Sequence, residues 1–262
     1  MYLYFYREVE YNTEAKENAV IALKGDARLP RYQRLAQTLR DEVVNRRWRP
    51  GEQIPSENMI AERYGVAPGT ARQALAQLVD EGLLERQHGR GTFVRRPSFD
   101  QSLFRFFRFS NEAGERVVPE SRIVQRERME APSEVSRQLQ LADGAPVIFM
   151  NRLRLIDGMP ILAEQIWLPG ERFGAFMAAD ASQIGPLLYP VYDSLCGEVV
   201  ARAEETLTVE VASPAYARLL RLQANTPLIV IDRLARGYDD RPIEWRRSRG
   251  PAAQFKYHTE IR

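Results

Sequence analysis

The chain has 262 residues, enough for two domains with separate cores, and its 44% hydrophobic and 27% charged residues exclude a disordered chain. No apolar run nears the ~18 residues of a membrane-spanning helix, and the start, MYLYFYREVEYN, lacks the basic n-region and apolar core of a signal peptide. Cys196 is the single cysteine, which rules out an internal disulfide and points to the reducing cytoplasm.

Residues 1–28 come before the first clear pattern. The stretch 8–24 suits a polar helix with no buried face, which reads as a mobile extension; the alternative is a helix docking on a dimer partner. Residues 32–48 form a helix with Leu35, Leu39, Val43 and Val44 as its apolar stripe. Pro50-Gly51 makes a turn, and residues 52–54 form a short strand. Ser56 is placed as the N-cap of a second helix, whose Met59, Ile60 and Tyr64 recur at helical spacing before Gly65 stops it. Pro68 fits the first turn of a third helix, where Ala71, Leu75, Leu78 and Val79 mark one buried face and Gly82 the end. Two short strands, 83–86 and 92–94, flank a polar stretch, 87–91, that holds two glycines. This order is a helix-turn-helix with a wing, spanning 29–96, a shape whose second motif helix enters the DNA major groove. The basic excess sits here: 12 Lys/Arg against 8 Asp/Glu in 29–96, within a chain of net charge +2.

These residues resemble the winged-helix domain of GntR-type bacterial transcription regulators. The matches are PSE, the YGV turn, the helix pattern of Thr70, Arg72, Ala74 and Leu75, the EGLL strand entry and the GRGTFV wing. Asn58 and Ala67-Pro68 depart from the common pattern and remove donors. The resemblance implies DNA contacts from Ser56, Glu57, Pro68, Gly69, Thr70, Arg72, Gln73, His88, Gly89, Arg90 and Gly91. On the third helix Arg72 suits guanine, Gln73 suits adenine, and Gly69 lets the backbone approach a phosphate. The competing reading of Arg72 is an internal salt bridge to Glu62 or Asp80; that of His88 is a solvated loop residue.

Pro97 ends the module. The segment 97–114 is a linker whose Phe104, Phe106, Phe107 and Phe109 call for burial against the second domain. From residue 115 the pattern is mixed α and β, and it repeats. LQLADGAPVIFMNRLR at 139–154 matches LRLQANTPLIVIDRLA at 220–235, and after one inserted residue Pro160-Ile161 matches Pro242-Ile243. Each copy reads as a helix end, a turn and a β-hairpin closed at Asp157-Gly158 or Asp239-Asp240. Between them lie a helix near 185–195 and a strand over 201–211, with Leu207, Val209 and Val211 sharing a face. Two such units imply one central antiparallel sheet with a pseudo-twofold axis. The fold class is therefore α+β: a winged helix-turn-helix followed by a mixed α/β domain over 115–262.

The second half resembles the UTRA effector-binding domain of the HutC branch of the same family, on its RLRL-x-DG-x-PI hairpin, Glu204-Glu205 and the DRPIEW hairpin. Arg152 and Arg154 lie two apart on one strand, on a face with Ile148 and Met150, and need an anionic partner. Either a structural salt bridge to Glu164 or a ligand supplies it. The resemblance places Arg152, Arg154 and Glu164 in the effector pocket, with Phe255 and Tyr257 near the carboxyl end and Phe109 and Ser110 in the segment that closes over the ligand. A two-residue turn at Asp157-Gly158 would turn Glu164 away from the arginines, whereas a three-residue loop, 157–159, sets Arg152 opposite Glu164. Pro160, lacking an N–H, favours the latter.

Two other classes compete. The sheet is also similar to that of chorismate lyase, yet His88 and His258 are the only histidines, and neither a Ser-His-Asp set nor a metal-ligand cluster is visible. A nonspecific architectural DNA binder would not need a second folded domain. The reading that uses both halves is a homodimeric transcription regulator, more a repressor than an activator. Its partners are pseudo-palindromic double-stranded operator DNA and a small anionic effector such as a sugar phosphate, amino acid or organic acid. It needs no cofactor, no metal and no membrane.

Overall fold

A computed structural model describes residues 21–24, 26–96 and 118–255. The first module holds α1 (Arg31–Val44), α2 (Glu57–Tyr64), α3 (Pro68–Asp80), β1 (Leu84–Gln87) and β2 (Gly91–Val94). Its core joins Leu35, Leu39 and Val43 of α1 to Ile60 and Tyr64 of α2 and Ala71, Leu75 and Leu78 of α3. The three helices thus bury the stripes that their periodicity marks. Two expected members differ. Met59 is 59% exposed, because position 59 falls on the outer side of this eight-residue helix. Helix α1 ends at Val44, four residues short of Trp48, which reaches the core from the loop instead.

Gly65 caps α2 at φ 59°, the left-handed conformation a glycine enters without strain. The strand expected at 52–54 is a single bridge from Gln53 to Phe93 of the wing. Residues 21–24 lie against this module: Ile21 and Leu23 pack on its core, and the Ile21 amide donates to the Arg63 carbonyl. That end of the expected mobile extension is docked; residues 1–20 lie outside the described residues.

The second module is one six-stranded antiparallel sheet in the order β3-β4-β5-β8-β7-β6. Its strands are β3 (Glu120–Glu130), β4 (Pro146–Ile156), β5 (Met159–Pro169), β6 (Arg202–Val211), β7 (Pro227–Arg236) and β8 (Pro242–Pro251). Exchanging β3, β4 and β5 with β6, β7 and β8 leaves that order unchanged, so the repeat generates a pseudo-twofold axis between β5 and β8. Each unit adds a helix after its first strand, α4 (Ser133–Leu139) and α7 (Pro214–Leu219). Both cover one face, α4 over Trp167 and Trp245, α7 over Leu153, Ala163 and Leu228. Trp167 on β5 pairs with Trp245 on β8 at the axis, ring centroids 4.7 Å apart and stacked. The opposite face carries α5 (Gly174–Ala178) and α6 (Leu188–Cys196), which bury Ile148, Met150, Ile166 and Leu168 with Phe173, Phe176 and Tyr192.

The hairpin corrects one expectation and keeps its consequence. The turn has two residues, with Ile156 opposite Met159, not three. Asp157 at φ 50° and Gly158 at φ 73° both take left-handed conformations, the type I′ pattern that matches strand twist. The extra residue comes two positions later: Leu155 faces Pro160 while Arg154 faces Leu162, so Ile161 is a β-bulge. Pro160 thus sits beside a break in the ladder, where its missing N–H matters least. Arg152 faces Glu164 after all. The second hairpin repeats the device, with Ile243 skipped between the pairs Arg236–Pro242 and Ala235–Glu244.

On β6, Leu207, Val209 and Val211 share a face as expected, and they are exposed at 37%, 68% and 64% on what is the edge strand of the sheet. The turn geometry is testable: Gly158→Ala places a side chain at φ 73° and should cost about 1–2 kcal/mol in urea unfolding. A loss below a few tenths would mean that the turn adopts another form.

Candidate functional sites

The first site is the outer surface of α3 and the wing. Pro68 begins α3, and an added Cβ at Gly69 would meet open space, so the helix start is bare. Gly69, Arg72 and Gln73 are exposed, and Thr70 is half-buried. Ser56 caps α2, its hydroxyl accepting from the Met59 amide at 3.4 Å. His88, Gly89 and Arg90 form the exposed wing tip between the paired Gln87 and Gly91. Gln53 braces that tip by donating to the Arg90 carbonyl at 2.9 Å, and a Cβ on Gly91 would come within 2.5 Å of the same amide nitrogen. The wing therefore needs glycine at 91 for packing as well as for its φ of 120°.

Arg72 is paired, but with neither acid weighed from the sequence. Its Nε donates to Glu57 at 2.9 Å, and Arg86 of β1 donates to the other oxygen of the same carboxylate at 3.1 Å. Glu57 thus ties α3 and the wing to the first turn of α2.

The second site lies on the α6-covered face of the sheet. Arg152, Arg154, Glu164, Arg233, Glu244, Arg246 and Ser248 are all buried there. Arg152 Nε donates to Glu164 at 2.7 Å, and Arg246 donates to the other oxygen of Glu164 at 3.2 Å. Arg246 also donates to Glu244 at 2.6 Å, as does the Tyr192 hydroxyl at 2.6 Å. Arg233 donates to the half-buried Glu205 at 2.6 Å. Four arginines thus face three carboxylates, and among the described residues Arg154 has no acid. Its Nη1 donates to a neutral acceptor, the Pro186 carbonyl, at 2.5 Å, and Arg152 Nη1 reaches the same oxygen at 3.3 Å. Among the described residues the Nη2 groups of Arg152 and Arg154, the Nε of Arg246 and the Ser121 hydroxyl, which lies opposite Arg154 on β3, are buried without partners.

The electrostatics follow. Burial lowers the Arg154 guanidinium to about 10; Glu164 pulls the other way, while Arg152 and Arg246 add to the lowering. Burial alone would raise Glu164, but Arg152, Arg246 and Arg154 outweigh it and bring its carboxyl to about 2. Burial and then Glu244 push the Tyr192 hydroxyl well above its usual value, so it remains a donor. Among the described residues the four guanidiniums outnumber their carboxylate partners by one, an imbalance that is costly to bury.

Sequence reasoning picked out Arg152, Arg154 and Glu164 and missed Arg233, Glu244 and Arg246. The repeat held the signal: β8 lies where β5 does in the first unit, and Arg233 pairs with Arg246 as Arg152 pairs with Glu164. Phe255 is half-buried against Ile161, Leu162 and Ile231 on the same sheet, while Phe109, Ser110 and Tyr257 lie outside the described residues. Among the described residues no group of His, Cys, Asp or Glu is placed to hold a metal, and no helix is long and apolar enough to cross a membrane.

Comparison with known proteins gives this arrangement a context. The model of bacterial regulatory proteins of the gntR family matches residues 31–94, and the UTRA domain model matches residues 114–256. The HTH-type transcriptional repressor NagR of Bacillus subtilis is 29% identical over 78% of this chain and 84% of its own length. The mannosyl-D-glycerate transport/metabolism system repressor MngR of Escherichia coli is 25% identical over 87% and 94%. The crystal structure of PhnF from Mycobacterium smegmatis aligns with 87% of this chain and 99% of its own, with 26% identity and a TM-score of 0.51. The chain belongs to the GntR family, with a gntR-type helix-turn-helix followed by a UTRA domain, and is a DNA-binding transcription regulator rather than an enzyme.

Proposed function

We propose that this regulator is a cytoplasmic homodimeric repressor released from a pseudo-palindromic operator by a small anionic effector. The observation that carries the effector class is the buried pair Arg152 and Arg154, which share one neutral carbonyl and, among the described residues, keep two Nη2 donors unpartnered. An anionic oxygen there gains charge-assisted hydrogen bonds, while Glu164, already fixed by two arginines, remains an acceptor for a ligand hydroxyl or amide. Phe255, with Phe109, Ser110 and Tyr257, completes the expected lining. Relatives carry the names of a mannosyl-D-glycerate repressor and a fructoselysine utilization repressor. A polar sugar derivative bearing a carboxylate or phosphate suits both those names and this site.

The homodimer is supported by the β6 edge, where a row of exposed aliphatic side chains lies beside a ladder that no strand pairs among the described residues. The winged module supplies the DNA contacts. Thr70, Arg72 and Gln73 face base edges, and Pro68, Gly69, Ser56, His88, Gly89, Arg90 and Gly91 lie along the backbone. Glu57 acts differently from the expectation that it touches DNA. A carboxylate beside phosphates is repelled, so its part is to hold Arg72 through Nε and leave the guanidinium fork for guanine.

Arg154→Ala should weaken binding of any anionic effector found in a thermal-shift screen of sugar phosphates and sugar acids by about 10–100-fold, as for loss of a charged hydrogen-bond partner. Unchanged affinity by calorimetry would remove the anion site from this reading. Glu164→Gln tests the electrostatics. The carboxyl titrates lower in the folded chain, about 2 against 4.5 unfolded, so its stabilisation is present above about pH 4.5 and lost as pH falls toward 2. The variant should lose about 3–5 kcal/mol at pH 7, and its gap to wild type should narrow below pH ~4.5. A gap independent of pH would assign the effect to packing. Glu57→Gln should cut discrimination between the preferred site and a single-base variant by ~10-fold, while binding to random DNA holds or rises. Parallel losses on both DNAs would make Glu57 a structural residue only.

A further inference from the structure

Helix α6 touches both functional halves of the molecule. Pro186, two residues before it, accepts from Arg152 and Arg154. Tyr192 donates to Glu244, and Tyr189 lies under Arg246, 5.7 Å from the guanidinium to the ring centre. At the other end Asp193 pairs with Arg46 at 2.7 Å, and the Gly197 carbonyl accepts from the same guanidinium. Arg46 belongs to the DNA-binding module, just after the C-cap of α1.

The ends of this helix are held unequally. Leu187 at its N-cap makes no side-chain cap bond; Ile184 and Leu188 anchor the segment in the core, and the Pro186 carbonyl between them is held by the two arginines. Asp193 lies in the last turn, where a negative charge opposes the helix dipole, and Arg46 offsets it. Arg46 itself has φ 59°, a left-handed conformation that costs a non-glycine residue energy and persists where surroundings hold it. A second contact reinforces the first: Tyr238, in the β7–β8 turn, packs on the winged-module core and donates its hydroxyl to the Arg95 carbonyl. Between the two contacts is a cavity of about 370 Å³ lined by Val43, Arg46, Pro50, Arg172, Glu198 and Tyr238. This seam is incompletely packed, and Tyr238 is the one aromatic that crosses it to the winged-module core among the described residues.

We propose that Arg46, Asp193 and Gly197 form a latch through which the arginine cluster sets the position of the DNA-binding module. This rests on the anion reading of that cluster. With the neutral Pro186 carbonyl accepting from both arginines, the latch is closed. An anion takes the donors of Arg152 and Arg154 because a paired, bidentate contact with an opposite charge outcompetes a shared neutral carbonyl. Pro186 then loses its partners, α6 shifts and Arg46 is released. The closed latch belongs to the operator-binding state, because it fixes the recognition helix relative to the sheet and so to the partner copy.

Hydrogen exchange on the full chain tests this, with inorganic phosphate as probe and chloride at matched ionic strength as control. Phosphate should slow exchange in 146–156 and speed it in 44–49 and 193–198. Arg46→Gln and Asp193→Asn should show the fast rates without phosphate, and the reversed pair Arg46→Asp with Asp193→Arg should restore the slow ones. On duplex DNA selected by the wild type from a random pool, each single variant should bind about tenfold more weakly, with an isolated half-site bound as before. Protection of 146–156 without change at 44–49 and 193–198 would overturn the latch and leave the anion site standing. No protection of 146–156 would overturn the anion site, and Arg46→Gln would then decide the contact alone: unaltered exchange in 193–198 sinks it.

Discussion

The effector domain depends on keeping guanidinium groups charged away from water. Burying an ion costs several kcal/mol unless partners replace its hydration, and four arginines lie on one face of this sheet. Glu164 makes the arrangement possible by bridging Arg152 and Arg246 across the pseudo-twofold axis, one oxygen to each. The strand register must bring these residues to the same face, and each hairpin bulge sets it. Without Ile161 out of step, Glu164 would point to the α4 and α7 side and leave the arginines without a counter-ion.

The two halves of the sheet share a backbone and differ in chemistry. Both hairpins carry the bulge, at Ile161 and Ile243, and both follow a strand and a short helix. Yet the position of Arg154 is occupied in the second half by Ala235, packed under α6, and that of Glu164 by Arg246. Among the described residues one half therefore leaves the Nη2 groups of Arg152 and Arg154 without partners, and the other, where Arg246 Nε lacks one, is filled by Tyr189, Tyr192 and their carboxylate partner Glu244. The site is asymmetric because a helix occupies one of two equivalent places.

Much of this was legible in the sequence, for identifiable reasons. Apolar spacing marked α1, α2 and α3, and glycines at 65 and 82 marked the ends of α2 and α3. The internal repeat foretold the symmetry of the sheet. Arg152, Arg154 and Glu164 could be grouped because strand alternation and hairpin register are local rules. The turn itself was misjudged: the absent N–H of Pro160 suggested a longer loop, when a bulge one residue later did the same work. The partner of Arg72 was missed because Glu57 is 15 residues away and meets it only through the angle between α2 and α3. The exposure of Leu207, Val209 and Val211 was not legible, because alternation marks a shared face but not whether anything covers it. The roles of Arg233, Glu244 and Arg246 needed the order of strands, which local patterns do not contain.

The stacked tryptophans at the centre of the sheet have an optical consequence. Trp167 and Trp245 join the two units at the axis, three residues along their strands from Glu164 and Ser248. Their emission depends on ring spacing and on the nearby Arg247 guanidinium, 5.0 Å from the Trp245 ring. The remaining tryptophan, Trp48, is buried in the DNA-binding module two residues beyond Arg46. The chain therefore carries a native fluorophore in each domain, one beneath the arginine cluster and one beside the seam, and reports on both without a label.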